Sequence, residues 1–121
     1  MKILIIGAGS IASKHINAIK SIDNKCSFYA LRHDTKSIHH DDIHSLYNWK
    51  DVPKDLEFVI ISNPTHLHSK TIIRAIKLNK PLFIEKPPVS NLKEWREVNK
   101  ILGLKKIQTY CGFVLRFHPL I

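Results

Sequence analysis

Short apolar runs alternate along this chain with segments whose apolar residues recur every three or four positions. Residues 2–6 (KILII) are an apolar run behind an initial lysine and lead into Gly7, the pattern of a strand buried on both faces. From Ser10 to Ile22 the apolar positions Ala12, Ile16, Ile19 and Ile22 follow helical spacing. Residues 26–31 (CSFYAL) read as a second strand, and the polar, histidine-rich stretch 33–46 as a loop with a short helix. A short third strand is expected at 47–49. A strong buried strand follows at 57–62 (EFVIIS), stopped by Asn63 and Pro64. Helical spacing returns over 66–79, with Ile72, Ala75 and Ile76 on the inner face, and residues 81–85 (PLFIE) form a strand that tolerates Pro81 at its first position. A helix is expected over 91–102, with Leu92, Trp95, Val98 and Leu102 facing inward. Ser90 or Asn91 can cap it, and Asn91 would put Glu94 third in a capping box. Residues 106–115 close the series as a strand. Strands alternating with helices imply an α/β fold, a doubly wound parallel sheet with right-handed crossovers.

Length and composition narrow this further. At 121 residues the chain suits one domain, and 44% hydrophobic with 24% charged residues is ordinary for a globular protein. No apolar run approaches the ~20 residues that span a bilayer, so no membrane partner is expected. MKILIIGAG is too short for a secretory signal. Cys26 and Cys111 lie far apart in apolar stretches, which excludes a CxxC motif and points to reduced thiols and a cytoplasmic location. The net charge is +9, and it is uneven: residues 1–60 hold 8 basic and 7 acidic side chains, residues 61–121 hold 11 and 3. Lys70, Arg74, Lys77, Lys93, Arg96 and Lys100 fall on the solvent faces of two helices with no interleaved aromatic residues. Nucleic acid is therefore not the expected partner, and an anionic small molecule is.

The first turn carries the clearest chemistry. Gly7-x-Gly9-x-x-Ala12 follows a strand and opens a helix, the context a dinucleotide fingerprint requires. Gly7 permits the tight turn, Gly9 lets backbone approach a pyrophosphate, and Ala12 lets the helix pack close. Amides from Ser10 and Ile11 would face the phosphates. This places the fold in the Rossmann type, with a nucleotide-binding domain over 1–115. The second strand ends Ala30-Leu31-Arg32-His33-Asp34, where the cofactor ribose should lie. A guanidinium there suits a 2′-phosphate, so NADP is preferred to NAD, while Asp34 is late for the NAD role.

Ligands of open α/β sheets bind beyond the carboxyl ends of the strands. Four segments fall there: the glycine loop, Ser62-Asn63-Pro64-Thr65-His66-Leu67-His68, Glu85-Lys86-Pro87-Pro88, and Arg116-Phe117-His118-Pro119. The set GAGSIASKH, SNPTHLH, IEKPP and YCGFVLRFHP resembles the N-terminal domain of the glucose–fructose oxidoreductase, inositol dehydrogenase and rhizopine-catabolism (Gfo/Idh/MocA) family over nearly the whole chain. That resemblance implies a nicotinamide-dependent oxidoreductase acting by hydride transfer on the CH–OH group of a sugar or polyol. It implies that Ser62, Asn63, Pro64 and His68 line the cofactor pocket and that Glu85 and Lys86 sit beside the nicotinamide. Lys86 would contact the reacting oxygen as the catalytic residue, the Lys86–Pro87 bond would be cis, and Arg116 and His118 would lie near the cofactor.

Family members carry a second, larger domain that supplies most of the substrate pocket and a catalytic histidine, and no residue here takes that role. Residues 116–121 read as the start of the connection to it, and FHPLI is an apolar end on which a complete domain seldom stops. Apolar surface left there would favour a homo-oligomer. His39, His40 and His44, with Asp41 and Asp42, invite a metal reading, but the segment has no firm helical pattern, so no metal site is assigned. The rival reading from another class is a non-catalytic dinucleotide-binding module used in sensing or assembly.

Overall fold

The computed structural model describes residues 1–33, 42–113 and 118–120. Six parallel strands form one sheet in the order β3-β2-β1-β4-β5-β6: β1 (Lys2–Ile6), β2 (Ser27–Leu31), β3 (Ile43–Leu46), β4 (Phe58–Ile61), β5 (Leu82–Glu85) and β6 (Thr109–Gly112). Helix α1 (Ser10–Ile22) links β1 to β2, α2 (Thr65–Ala75) links β4 to β5, and α3 (Leu92–Lys105) links β5 to β6. The order reverses between β1 and β4, which pair from Ile3↔Phe58 to Ile6↔Ile61. This reversal parts the loops that leave the two central strands and opens a crevice at their carboxyl ends.

Strand alternation sorts the core into two layers. Ile3, Ile5, Phe28 and Ile60 face α1, where Ala12 and Ile16 cover them. Leu4, Ile6, Val59, Ile61, Leu82 and Ile84 face the other way, against Ile72, Ala75 and Ile76 of α2 and its 3₁₀ extension, and against Val98 of α3. β1 and β4 are apolar at every described core position because both of their faces are covered.

Three expectations need correction. The third strand is Ile43–Leu46 and not 47–49; Trp49–Asp51 form a 3₁₀ turn instead. Only Ile43 and Leu46 of this edge strand are apolar, so its alternation is hidden by His44 and Ser45. Helix 66–79 is α-helical only to Ala75, tightens to a 3₁₀ turn over Ile76–Leu78, and ends at Asn79 with φ 54°. A left-handed residue closes a helix in this way, and asparagine tolerates it. On α3 only Val98 is buried, whereas Leu92 is 61% and Trp95 40% exposed. That helix packs chiefly on α2 and leaves those two residues along an apolar groove. Ile22, at the end of α1, is also exposed. The Asn91 cap is as expected: its side chain accepts from the Glu94 amide at 2.9 Å, and the Glu94 carboxylate accepts from the Ser90 amide. Both cysteines are free and half-buried.

Candidate functional site

Gly7 leaves β1 with φ +94°, and a Cβ there would stand 2.4 Å from the Asn63 nitrogen. The turn after β1 therefore touches the turn after β4, which only glycine permits. Ser62 holds the contact by donating its hydroxyl to the Gly7 carbonyl at 2.7 Å. Gly9 differs. It is the N-cap of α1 without a side-chain cap, and a Cβ on it would meet nothing within 4 Å. The amides of the first turn of α1 therefore look onto open space with no acidic side chain in that turn. Helix α2 likewise begins at Thr65 with no side-chain cap and no acid in its first turn. Two positive helix ends thus converge on the same crevice.

The cleft so formed is about 490 Å³ and is lined by Gly7, Gly9, Ser10, Ile11, Ser62, Asn63, Pro64, His68, Glu85 and Lys86, among others. Ala12 lies beneath it, buried where α1 crosses the sheet. Asn63 is 7% exposed; its amide nitrogen donates to Thr71 at 2.8 Å, while its side-chain oxygen has no partner. A buried acceptor left open beside a cleft lined with donors fits a ligand that brings its own donor. The glycine cradle, the two helix ends and this oxygen together fit a dinucleotide.

His68 is 1% exposed. Its Nδ1 lies 3.0 Å from the Pro87 carbonyl and its Nε2 2.7 Å from the Asn63 carbonyl. A neutral imidazole donates to one of these oxygens, and the doubly protonated ring donates to both. Lys86 is exposed at the rim, and the Lys86–Pro87 bond is cis. Glu85 is held by His15 of α1, with Nε2 and Oε1 2.5 Å apart, and accepts from the Lys86 amide at 3.3 Å. His15 and Thr71 were not legible as site residues: His15 acts through a partner distant in sequence, and Thr71, within α2, acts only by accepting from Asn63. The separation of 70 positions between His15 and Glu85 leaves no local pattern.

Arg32 is buried at the carboxyl end of β2, where its Nε donates to Ser45 Oγ of β3 at 3.0 Å. It borders a second, smaller hollow of about 290 Å³ that also touches His33, Asn63, Lys70, Thr71 and Arg74. Arg116, Asp34, His39, His40 and Asp41 lie outside the described residues. His118 is exposed, and its Nδ1 accepts from the Leu120 amide. His44 stacks on Tyr29, and no group of three or more metal-ligating side chains occurs among the described residues. Burial pushes the Cys111 thiol above its ordinary range, opposed by a hydrogen bond from the Gly112 backbone and reinforced by the Glu85 charge.

Comparison with known proteins decides among dinucleotide folds. Residues 1–113 match the family model described as "Oxidoreductase family, NAD-binding Rossmann fold" (GFO_IDH_MocA). This chain belongs to the Gfo/Idh/MocA oxidoreductase family. Within that family it is 27% identical to the uncharacterized oxidoreductase YrbE of Bacillus subtilis, over 95% of this chain and 36% of that protein. It is 33% identical to the scyllo-inositol 2-dehydrogenase (NAD(+)) of the same organism, over 53% of this chain and 19% of that protein. The WlbA dehydrogenase of Chromobacterium violaceum, solved with NADH and UDP-GlcNAcA, superposes with TM-score 0.83 at 18% identity, over 97% of this chain and 36% of that one. The WlbA (WbpB) dehydrogenase of Thermus thermophilus, solved with NAD and α-ketoglutarate, gives 0.80 at 22%, over 99% and 43%. The chain thus spans about a third of the curated relative that it matches along most of its length. These likenesses establish the Rossmann fold and an NAD-binding oxidoreductase domain. Among the described residues no helix is long and apolar enough to cross a membrane.

Proposed function

We infer that this domain binds a nicotinamide dinucleotide across the glycine loop and serves an oxidoreductase that acts on the CH–OH group of a sugar or polyol. One observation carries the reading. The loops leaving β1, β4 and β5 meet in a single cleft with two uncapped helix ends, an open buried acceptor and a lysine at the rim. The diphosphate belongs at the amides of Ser10 and Ile11, beside Gly9. Asn63 lines both hollows and Pro64 and His68 line the cleft, where they would wall the cofactor, and Glu85 and Lys86 would flank its reactive ring. When bound, the dinucleotide supplies the hydride acceptor or donor. Lys86 then carries the catalytic role on this chain. Its ammonium would face the substrate oxygen, stabilise negative charge developing there and give that oxygen a proton as the carbonyl is reduced; in the reverse direction the neutral amine would take the alcohol proton.

NADP is favoured over NAD. The hollow beyond β2 carries Arg32, Lys70 and Arg74 and no carboxylate among its described lining residues, a setting that suits a 2′-phosphate. The relatives solved with UDP-GlcNAcA and the inositol dehydrogenase support a polyhydroxylated substrate. A homo-oligomer and a cytoplasmic setting, where the free thiols stay reduced, complete the proposal.

Fluorescence titration with NADPH and NADH tests it. Saturable binding in the micromolar range with weak salt dependence is expected. Binding of neither nucleotide removes the reading, and a steep salt-dependent response to oligonucleotides replaces it. In a chain that carries the substrate domain, Lys86→Ala should lower turnover about a hundredfold while leaving the grip on the diphosphate, read as ADP-ribose affinity, within about twofold.

A further inference from the structure

Lys86 stands between two residues that are each held by a histidine, and the two histidines reach it from opposite faces of the sheet. Period-two alternation turns Phe83 and Glu85 toward α1. There His15 meets the Phe83 ring edge-on, with centroids 5.1 Å apart, and its Nε2 lies 2.5 Å from the Glu85 carboxylate. The pair is half-sheltered, with side-chain exposures of 24% and 16%. Across the sheet Glu85 is in register with Gly112, where a Cβ would come within 3.2 Å of the carboxylate. The bare glycine leaves the carboxylate its place. From there Glu85 accepts the Lys86 amide, so the carboxylate that His15 fixes also sets the peptide plane leading into the lysine. On the other face, His68 of α2 lies between the Pro87 and Asn63 carbonyls, 3.0 Å and 2.7 Å from its two ring nitrogens, and donates to one of them in its neutral form.

We propose that His15 and His68 are positioning residues that clamp Glu85 and Pro87 and thereby fix the direction in which Lys86 is presented to the nicotinamide end of the cleft. The clamp joins the helix that opens at the phosphate loop to the strand end that carries the lysine. Phosphate grip and lysine aim are thus mechanically one unit. A hydrogen bond between a carboxylate and an imidazole, partly screened from water and backed by a ring contact, is strong enough to hold a rim segment in one orientation.

The proposal rests on the dinucleotide reading, and two probes separate the two. ADP-ribose engages the phosphate and adenosine parts of the cleft, whereas NADPH or NADH also reaches past Glu85 and Lys86. His15 is partly exposed, so His15→Leu should fold. It is expected to weaken reduced-dinucleotide binding about tenfold and ADP-ribose binding less than about twofold, and His15→Gln should restore most of the loss. Independently of any nucleotide, hydrogen exchange at the Lys86 amide should quicken about tenfold in His15→Leu while the β5 amides stay unchanged. His68→Gln should reproduce the nucleotide pattern if it folds; the His15 series decides the matter if it does not. Equal loss of both ligands, or no change in dinucleotide binding or in Lys86 exchange, overturns the clamp. If the unaltered chain binds ADP-ribose and dinucleotide alike and the variant shifts neither, the clamp alone fails. If the unaltered chain binds neither, the dinucleotide reading fails and the clamp falls with it.

Discussion

Two of the concavities among the described residues, the groove along α3 and the cleft at the strand ends, differ in size and in chemistry, and the larger is the apolar one. The groove along α3 is about 950 Å³ and is lined largely by apolar side chains, Leu92, Trp95, Val98 and Leu102 among them. The cleft at the strand ends is about half that volume, yet three loops, two helix N-termini and the only buried open acceptor described beside it converge there. A groove of that kind comes from a helix that is amphipathic but incompletely covered. The cleft arises from strand order, which separates two loops whatever their side chains are. Size reports packing here, and convergence of polar groups reports function.

Substitutions can break or sharpen this contrast. The largest effect is expected at Gly7. Gly7→Ala adds a Cβ into the Asn63 backbone at a positive φ, and should cost about 3 kcal/mol or more of stability, seen as a fall in the thermal midpoint and loss of nucleotide binding. Gly9→Val should leave the thermal midpoint nearly unchanged and lower dinucleotide affinity about a hundredfold, because its side chain enters the space before the helix amides. Unchanged affinity would remove the phosphate site. In the groove the pattern should invert. Ile72→Ala, fully buried beneath it, should cost about 3 kcal/mol in urea unfolding with nucleotide affinity intact, and an equal loss of affinity would mean that the two concavities are coupled. Lys70→Ala should weaken NADPH several-fold more than NADH in parallel titrations; equal effects would defeat the NADP preference.

The smallest effect lies far from both, at the amino ends of the strands. Lys2 and Asp55 pair at 2.7 Å, and this hydrogen bond holds the Asp55 carboxyl below its ordinary 3.8 and the Lys2 ammonium above its ordinary 10.5. The carboxylate's contribution is present above pH 3.8 and fades as pH falls through its lowered value. That of the ammonium is present below pH 10.5 and fades as pH rises through its raised one. Both groups are solvent-exposed, so Asp55→Asn should barely move the thermal midpoint at pH 7, and any difference should shrink with added salt.

Much of this was legible in the sequence. β1 and β4 announce themselves as unbroken apolar runs because both faces of a central strand are covered, and Gly7 and Gly9 mark the phosphate turn because backbone geometry demands them. β3 escaped because an edge strand needs only two apolar residues, and the polar run around it reads as loop. The inward assignment of Leu92 and Trp95 failed for a related reason: periodicity identifies a helix's apolar stripe but not what covers it. Arg32 was placed at the correct strand end, yet its bond to Ser45 depends on β3 lying alongside, which the misplaced strand concealed. His15 was missed altogether, since a contact made across 70 residues is a property of topology and not of spacing.

Strand order also dictates when the cleft can exist. β1 meets β2 on one edge, but its other edge must wait for β4, which arrives only after β2 and β3 have been made. Closing so long a loop is slow, and until it closes the apolar run Ile3–Ile6 has a bare hydrogen-bonding edge. During synthesis the first half of the chain should therefore be prone to sticking to chaperones or to its own copies. Emergence of residues 58–61 should mark the moment at which that vulnerability ends.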